Sequence, residues 1–307
     1  MDVNKVLITG ANGFVGGYFI NHLSDCSVEI VKFPETIDIR DKEKVNNFFI
    51  NNSFNAVVHL AAQSFVPRSF INPKETYEIN FTGTLNILEA LRLSKFRGVF
   101  LYIGSSDVYG IVPESSLPIM ENVALSPMNP YAESKVAAEL LCKEWSISED
   151  IMRIVMTRSF NHIGPLQEEK FVISGFCKQV AMIKNGLQEP YIETGNLNVT
   201  RDFTDVRDVV RAYKLLLEKG INGEVYNVCS GREVLLKDVL LKLRQLTNID
   251  FDVNVSSDLY RDVEQSRVLG DLNKINKATS WTPRILFDKS IIDIFRYWVE
   301  KTKKENL

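Results

Sequence analysis

The sequence predicts an α/β protein built on a doubly wound parallel sheet, with a smaller, discontinuous α/β part towards its carboxyl end. Three observations predict it: short apolar runs alternate with amphipathic stretches through the first half, the run at 55–60 is apolar almost throughout, and a glycine-rich turn follows the first run. Strands are expected at 4–9, 28–33, 55–60, 99–104 and 151–159, and helices near 13–24, 41–51, 73–95 and 131–148. The run Asn55-Ala56-Val57-Val58-His59-Leu60 lacks the alternation of a strand with one wet face, so it belongs in a sheet covered by helices on both sides. Beyond about residue 160 the pattern loosens into a helix at 171–186, short strands, a helix at 205–219, a strand at 223–228 and helices near 237–247 and 286–301. The segments 205–219 and 223–228 are apolar enough to return to the main sheet, which makes the smaller part discontinuous. Residues Lys303 to Leu307 read as a solvated tail.

The 307 residues suffice for one large core with an appendage. The formal charge is −3 and both signs are mixed along the chain, which excludes the electrostatic footprint of a nucleic-acid or anionic-membrane binder. Any phosphate must then be held by local groups. Cys26, Cys142, Cys177 and Cys229 are scattered without CxxC pairing, and the three histidines form no metal-ligand spacing with them, so a reduced, metal-free cytoplasmic protein is expected. The chain opens on a strand and offers no apolar stretch of roughly 20 residues, so neither a leader nor a membrane span is expected.

Directly after the first strand stands Thr9-Gly10-Ala11-Asn12-Gly13-Phe14-Val15-Gly16-Gly17, opening an amphipathic helix. Gly10 permits a tight turn, Gly13 lets the backbone approach a pyrophosphate, and Gly16 allows close packing of helix on sheet. The free N–H groups of this helix start then bind the anion. A glycine turn without a ligand has the same letters, but its place at the head of a long alternating pattern points to a dinucleotide. The end of the second strand, Val31-Lys32-Phe33-Pro34-Glu35, carries both signs, so NAD and NADP are both open. Asp38 and Ile39 are candidates to cap the adenine, and Leu60, Ala61, Ala62 and Gln63 to line the pyrophosphate groove. Loop capping and small-residue packing explain these letters equally well.

At the end of strand 99–104 stands Gly104-Ser105-Ser106-Asp107-Val108-Tyr109-Gly110, and a later helix begins Pro130-Tyr131-Ala132-Glu133-Ser134-Lys135. Tyr131 and Lys135 are four apart, which on a helix puts both on one face with the ammonium able to approach the phenol. A free tyrosine titrates near pH ~10, so acid–base work around neutrality requires its anion to be stabilised. Lys135 and a nicotinamide ring's positive charge are expected to supply that, and Ser105 to hold a substrate oxygen against Tyr131. A snorkelling lysine beside a half-buried ring gives the same spacing. The conjunction of phosphate loop, strand-end serine and this pair argues for a single cleft.

The combination Thr9-Gly10-x-x-Gly13-Phe14-x-Gly16, His59-Leu60-Ala61-Ala62, Ser105 and Tyr131-x-x-x-Lys135 resembles the extended short-chain dehydrogenase/reductase superfamily over nearly the whole chain. The segments 158–165, 171–174, 201–208 and 224–231 are similar to the GDP-4-keto-6-deoxy-D-mannose reductases, relatives of the GDP-mannose 4,6-dehydratases. The resemblance implies a Rossmann-like NAD(P)-binding domain at 1–160, joined by 203–229, and a sugar-nucleotide domain at 161–202 and 230–307. It implies Ser105, Tyr131 and Lys135 as the catalytic set, with substrate contacts at Ser64, Ser106, Asp107, Asn161, Val172, Arg201, Arg261 and Glu264. Asn161 would meet the sugar or its phosphate, while Arg201, Arg261 and Glu264 would hold diphosphate and ribose. Independently, a diphosphate leaving water needs planar, permanently charged donors, although an exposed Arg201 on an edge strand beside Asp202 or Asp205 would be unremarkable. A homodimer through helices 73–95 and 131–148 is also implied.

Two departures stand out. Where relatives carry Arg-Pro before the acidic residue, this chain reads Arg261-Asp262-Val263-Glu264, and its second-strand loop is shortened where a phosphate-binding arginine often sits. The implied reaction is reduction of the ketone of a GDP-linked 4-keto-6-deoxy sugar with NADPH or NADH, to GDP-D-rhamnose or its C4 epimer. A 4,6-dehydratase is the alternative, in which the base two residues past the serine would be Asp107, about 1.3 Å shorter in reach than the usual glutamate. A 4-epimerase is third. A dinucleotide-sensing protein without catalysis has no need of the Tyr131 and Lys135 pair.

Overall fold

A computed structural model of the chain describes residues 3–148, 152–256, 259 and 265–304. From the amino end run β1 (Lys5–Thr9), α1 (Phe14–Ser24), β2 (Glu29–Lys32), α2 (Lys42–Ile50), β3 (Ala56–His59), α3 (Val66–Ile71), α4 (Pro73–Tyr77), α5 (Gly83–Leu93), β4 (Val99–Ser105), α6 (Pro130–Ser148) and β5 (Arg153–Ser159). The chain continues through β6 (Asn161–Ile163), α7 (Val172–Lys184), β7 (Tyr191–Thr194), β8 (Thr200–Asp205), α8 (Val206–Lys219) and β9 (Val225–Val228). It ends in β10 (Glu233–Leu235), α9 (Leu236–Thr247), β11 (Asp252–Val255), α10 (Asn273–Thr279) and α11 (Phe287–Lys304).

Six parallel strands form the main sheet in the order β2-β1-β3-β4-β5-β9. The late strand β9 therefore returns to pair with β5, as its apolar sequence predicts. Alternate residues of each strand face opposite helical layers. Val6, Ile8, Val58, Leu101 and Val155 pack with Phe19 and Leu23 of α1 and Val209 and Leu216 of α8. Leu7, Val57, Phe100 and Ile154 pack with Phe49 of α2, Ile87 and Leu91 of α5, and Ala138 and Cys142 of α6. A third core joins α7, α9 and α11 around Phe176, Leu240 and Trp298. Beside it lie the three-stranded sheet β10-β8-β6 and the pair β11-β7.

Two expectations are corrected. The helix expected at 73–95 is not continuous: a π-helical turn, Glu78–Thr82, joins α4 to α5, and α5 stops at Leu93. The expected tail at 303–307 is helical at its start, because α11 runs to Lys304. Buried Thr302, whose hydroxyl donates to the Trp298 carbonyl, holds this last turn down, and Lys301, Lys303 and Lys304 suit the negative end of the helix dipole. Among the described residues no helix is long and apolar enough to cross a membrane.

Candidate active site

The chain leaves β1 for β2 on one side and reaches β3 on the other, so the strand order reverses at the carboxyl ends of β1 and β3, where α/β sheets place their ligands. The glycine turn stands there. Gly10 has φ +66°, and a Cβ on it would lie 2.8 Å from the backbone nitrogen of Ala61. One on Gly16 would lie 2.4 Å from the carbonyl oxygen of Gly10. The turn is thus pressed against both α1 and the Leu60-Ala61-Ala62 segment, with no side chain between. Gly13 caps α1 without a side-chain acceptor, which leaves the first-turn N–H groups of α1 to an outside anion. Opposite, Gly164 packs on the Phe14 ring, the Tyr18 hydroxyl donates to the Pro165 carbonyl at 3.1 Å, and the buried His162 Nδ1 has no hydrogen-bond partner. A cradle of bare backbone and an uncapped helix start fit a dinucleotide.

At the adenosine end, Lys32 closes β2 as an exposed residue with no carboxylate in ion-pair range among the described residues. Asp38 is not a free acceptor there. Its carboxylate takes the Arg40 Nε at 3.0 Å as well as the Arg40 backbone N–H at 2.9 Å, and these bonds hold it below the usual carboxylate range. Ile39 is buried, with its side chain against Gly83 and its carbonyl bonded by Asn86.

Ser105, the last residue of β4, and Tyr131, in the first turn of α6, are both buried, and the Ser105 hydroxyl lies near enough to act on the phenol. Burial first, then the Asp107 charge, push the Tyr131 phenol up, against the pull of the Ser105 hydroxyl. The Asp107 N–H donates back to Ser105 Oγ at 3.2 Å, which fixes the start of the 3₁₀ turn Ser106–Tyr109. Lys135 departs from expectation. Its ammonium donates to the Ile103 carbonyl at 2.8 Å and lies 5.2 Å from the centroid of the Tyr102 ring instead of bonding the phenol. A buried ammonium needs an acceptor, and the β4 carbonyl beneath it is the one at hand. Burial lowers Lys135 to about 8.

The other candidates fall at the same edge. Ser64 follows β3, Ser106 and Asp107 follow β4, Asn161 follows β5, and Val172 opens α7. Arg201 lies on β8, the central strand of its sheet and not an edge; its Nη1 donates to the carbonyls of Thr200 and Gln265 at 2.7 and 2.9 Å. Asp202 and Asp205 are engaged elsewhere, by Ser230 and Arg207. Arg261 and Glu264 lie outside the described residues.

One site residue escaped the sequence reading. Asn80, in the π turn, accepts from the Gln63 N–H at 2.8 Å and donates to Ser134 Oγ at 2.9 Å, bracing the groove loop against the helix of Tyr131. Its burial, which demands such partners, shows only in the fold and leaves no signal in the sequence.

Fold and site together define a dinucleotide-binding oxidoreductase of the extended short-chain dehydrogenase/reductase type. Residues 34–294 match the family model of GDP-mannose 4,6-dehydratase, and the chain belongs to that family. It is 39% identical over 303 residues to the GDP-6-deoxy-D-mannose reductase of Pseudomonas aeruginosa, covering 98% of this chain and 99% of the relative. A Pseudomonas aeruginosa protein of known structure, solved in complex with NADPH, superposes with a TM-score of 0.91 at 39% identity, over 97% of this chain and 99% of the other. The Thermus thermophilus UDP-glucose 4-epimerase, solved with NAD, gives a TM-score of 0.83 at 26% identity over 96% and 98% of the two chains.

Because Lys135 binds its proton less tightly when folded, the unfolded chain carries the extra proton between pH about 8 and 10.5. This group's contribution to stability therefore rises with pH across that window. In urea titrations the wild type should gain stability relative to Lys135→Met from the lower to the upper end of it. A difference that stays flat would show that the ammonium is not desolvated as described.

Proposed function

We propose that the protein reduces the 4-keto group of a GDP-linked 4-keto-6-deoxyhexose with NADPH or NADH, giving GDP-D-rhamnose or its C4 epimer. The observation that carries this reading is the buried Ser105–Tyr131 hydroxyl pair at the sheet's carboxyl edge, beside the glycine turn. A reduced nicotinamide bound in that cleft supplies the hydride. The backbone of Gly10, Asn12, Gly13, Phe14, Val15 and Gly16 holds the diphosphate from one side, and Leu60, Ala61 and Ala62 line the other. Ser105 and Tyr131 donate to the ketone oxygen, and Tyr131 passes its phenolic proton to that oxygen as it gains negative charge. The Asp107 charge favours the neutral phenol, the form that donates. Lys135, cationic below about pH 8, eases the charge left on the phenol.

Ser64, Ser106, Asp107 and Asn161 surround the sugar in this reading. Val172 at the start of α7, with Arg201, Arg261 and Glu264, takes the nucleotide, so residues 161–202 and 230–307 serve the substrate and 1–160 with 203–229 the cofactor. The enzyme works in the cytoplasm as a homodimer through α5 and α6, whose outer faces expose Leu93, Leu140 and Ile147. Sedimentation at micromolar concentration should give twice the chain mass of 35.0 kDa, and a monomer's mass would refute the pairing.

The test of the reaction is incubation with GDP-4-keto-6-deoxymannose and NADPH or NADH, following loss of reduced-nicotinamide absorbance and identifying the sugar formed. Tyr131→Phe should lower kcat by about 10²–10⁴-fold while still binding dinucleotide. A flat trace from the wild type with both cofactors overturns the reductase reading.

With Asp38 occupied by Arg40 and Lys32 free, the rim favours a 2′-phosphate over a ribose hydroxyl, so NADPH is the preferred donor. Lys32→Glu should raise KM for NADPH by about tenfold and leave KM for NADH within about twofold. Equal effects on the two would remove Lys32 from cofactor selection.

A further inference from the structure

We infer that Arg158, whose side chain bonds neither the glycine turn nor Ser105 or Tyr131, is the positioning residue that fixes the separation of those two hydroxyls. The inference rests on the reading of Ser105 and Tyr131 as the reacting pair. The two hydroxyls come from different elements, β4 and α6, so something must hold the end of one against the start of the other.

Arg158, on β5, reaches both. Its Nε and Nη2 donate to the two carboxylate oxygens of Glu139 at 3.0 and 2.6 Å, a bidentate contact. Glu139 lies on α6 eight residues past Tyr131 and four past Lys135, hence on the same side of the helix. The third arm of the fork, Nη1, donates to the Tyr109 hydroxyl at 3.0 Å and to the Glu121 carbonyl at 2.9 Å. Tyr109 ends the 3₁₀ turn that starts directly after Ser105, and its ring lies under the guanidinium with 4.9 Å from Cζ to the centroid. One planar cation thus grips the Tyr131 helix with one edge and the Ser105 turn with the other.

The far side of the turn is fastened as well. The Tyr109 hydroxyl donates to Asn227 Oδ1 at 2.7 Å, and Asn227 in turn donates its backbone N–H to Glu121 Oε1 at 2.8 Å and its side-chain nitrogen to the Ile119 carbonyl at 2.8 Å. Every member pins another.

Stability alone does not explain the arrangement. Arg158 and Glu139 are buried, and a buried ion pair gives little or no more stability than well-packed apolar groups of the same volume. Apolar packing would hold α6 to β5 equally well but would leave their relative slide and twist soft. A bidentate guanidinium–carboxylate contact fixes distance and angle together. That rigidity is what a pair of hydroxyls sharing one substrate oxygen requires.

Arg158→Lys keeps the charge and removes the fork, and Tyr109→Phe keeps the ring and removes the link to the turn. Two readouts are taken on both variants with NADP⁺ bound: kcat against KM, and the ¹³Cζ resonance of Tyr131 at pH 7, assigned by its loss in Tyr131→Phe. The resonance should move towards its position in Ser105→Ala, and kcat should fall by about tenfold while KM for the keto-sugar and Kd for NADPH stay within about twofold. Should Arg158→Lys not fold, Tyr109→Phe decides alone. A folded variant with the wild-type resonance and kcat overturns the assignment. Absence of turnover in the wild type would instead sink the proposed substrate, and the resonance would still decide the role of Arg158.

Discussion

Two cations are buried between α6 and the sheet, and the geometry of the site depends on how each is compensated. Arg158 meets a full carboxylate, and although burial opposes its charge, the hydrogen bonds and field of Glu139 outweigh that cost and hold it protonated. Lys135 meets only a carbonyl and an aromatic ring, both neutral, and burial brings it down to about 8. Lys135 and Glu139, the partner of Arg158, stand four residues apart on α6, and the two cations there divide the labour: one is locked and serves as structure, the other sits near the point of losing its proton and remains chemically responsive. The side chains reinforce the difference, because a guanidinium keeps its proton out of water where an ammonium gives it up readily.

Behind the cleft runs a second polar line that ties the glycine turn to the Tyr131 helix. Thr9 Oγ1, which accepts from the Ala61 N–H, is bonded to His59 Nδ1 at 2.8 Å, and His59 Nε2 to Thr84 Oγ1 at 3.0 Å. Thr84 donates to the Asn80 carbonyl at 2.6 Å, Asn80 donates to Ser134 Oγ, and Ser134 donates to the Tyr131 carbonyl at 2.7 Å. Burial keeps His59 neutral, down to about 3, so the line carries no net charge. The π turn is what lets it close: one extra residue per turn of helix rotates Asn80 so that its side chain meets both Gln63 and Ser134.

These two networks also mark where reading the sequence stops. The sheet strands, α1, α6, α8 and the return of β9 were legible because each is signalled within its own stretch, by apolar runs, by period, or by the glycine turn. The Ser105 and Tyr131 pairing was legible from position alone, since strand ends and the following helix converge in any sheet wound this way. Not legible were contacts set by chains far apart in number. Asn80 reads as an ordinary helix residue, and nothing in the sequence links Arg158 to Glu139, 19 residues away. Asp38 looked available to an adenine because the sequence does not tell that Arg40, two residues on, would fold back onto it. Lys135 went to the carbonyl of Ile103 for a similar reason, as backbone acceptors leave no trace in a residue pattern.

Buried carboxylates fasten the smaller half to the sheet, Asp202 among them. Asp202, fully buried on β8 next to Arg201, accepts from the Ser230 N–H and hydroxyl at 2.7 and 2.6 Å, from the Gly231 N–H at 3.0 Å and from the Gly270 N–H at 3.2 Å. Ser230 and Gly231 lead out of β9 of the main sheet, and Gly270 is bridged to Ile119, whose carbonyl Asn227 also holds. Burial raises the Asp202 pKa even against these donors, so its bonds are the reason a charge is tolerated there at all. An apolar residue at 202 would leave three backbone N–H groups from two segments without an acceptor, and the strand carrying Arg201 would lose its fixed height relative to Tyr131. These directed bonds add to the apolar packing of Ile275 and Trp281 on α8, and so give β8 one seating on the sheet instead of a range of them.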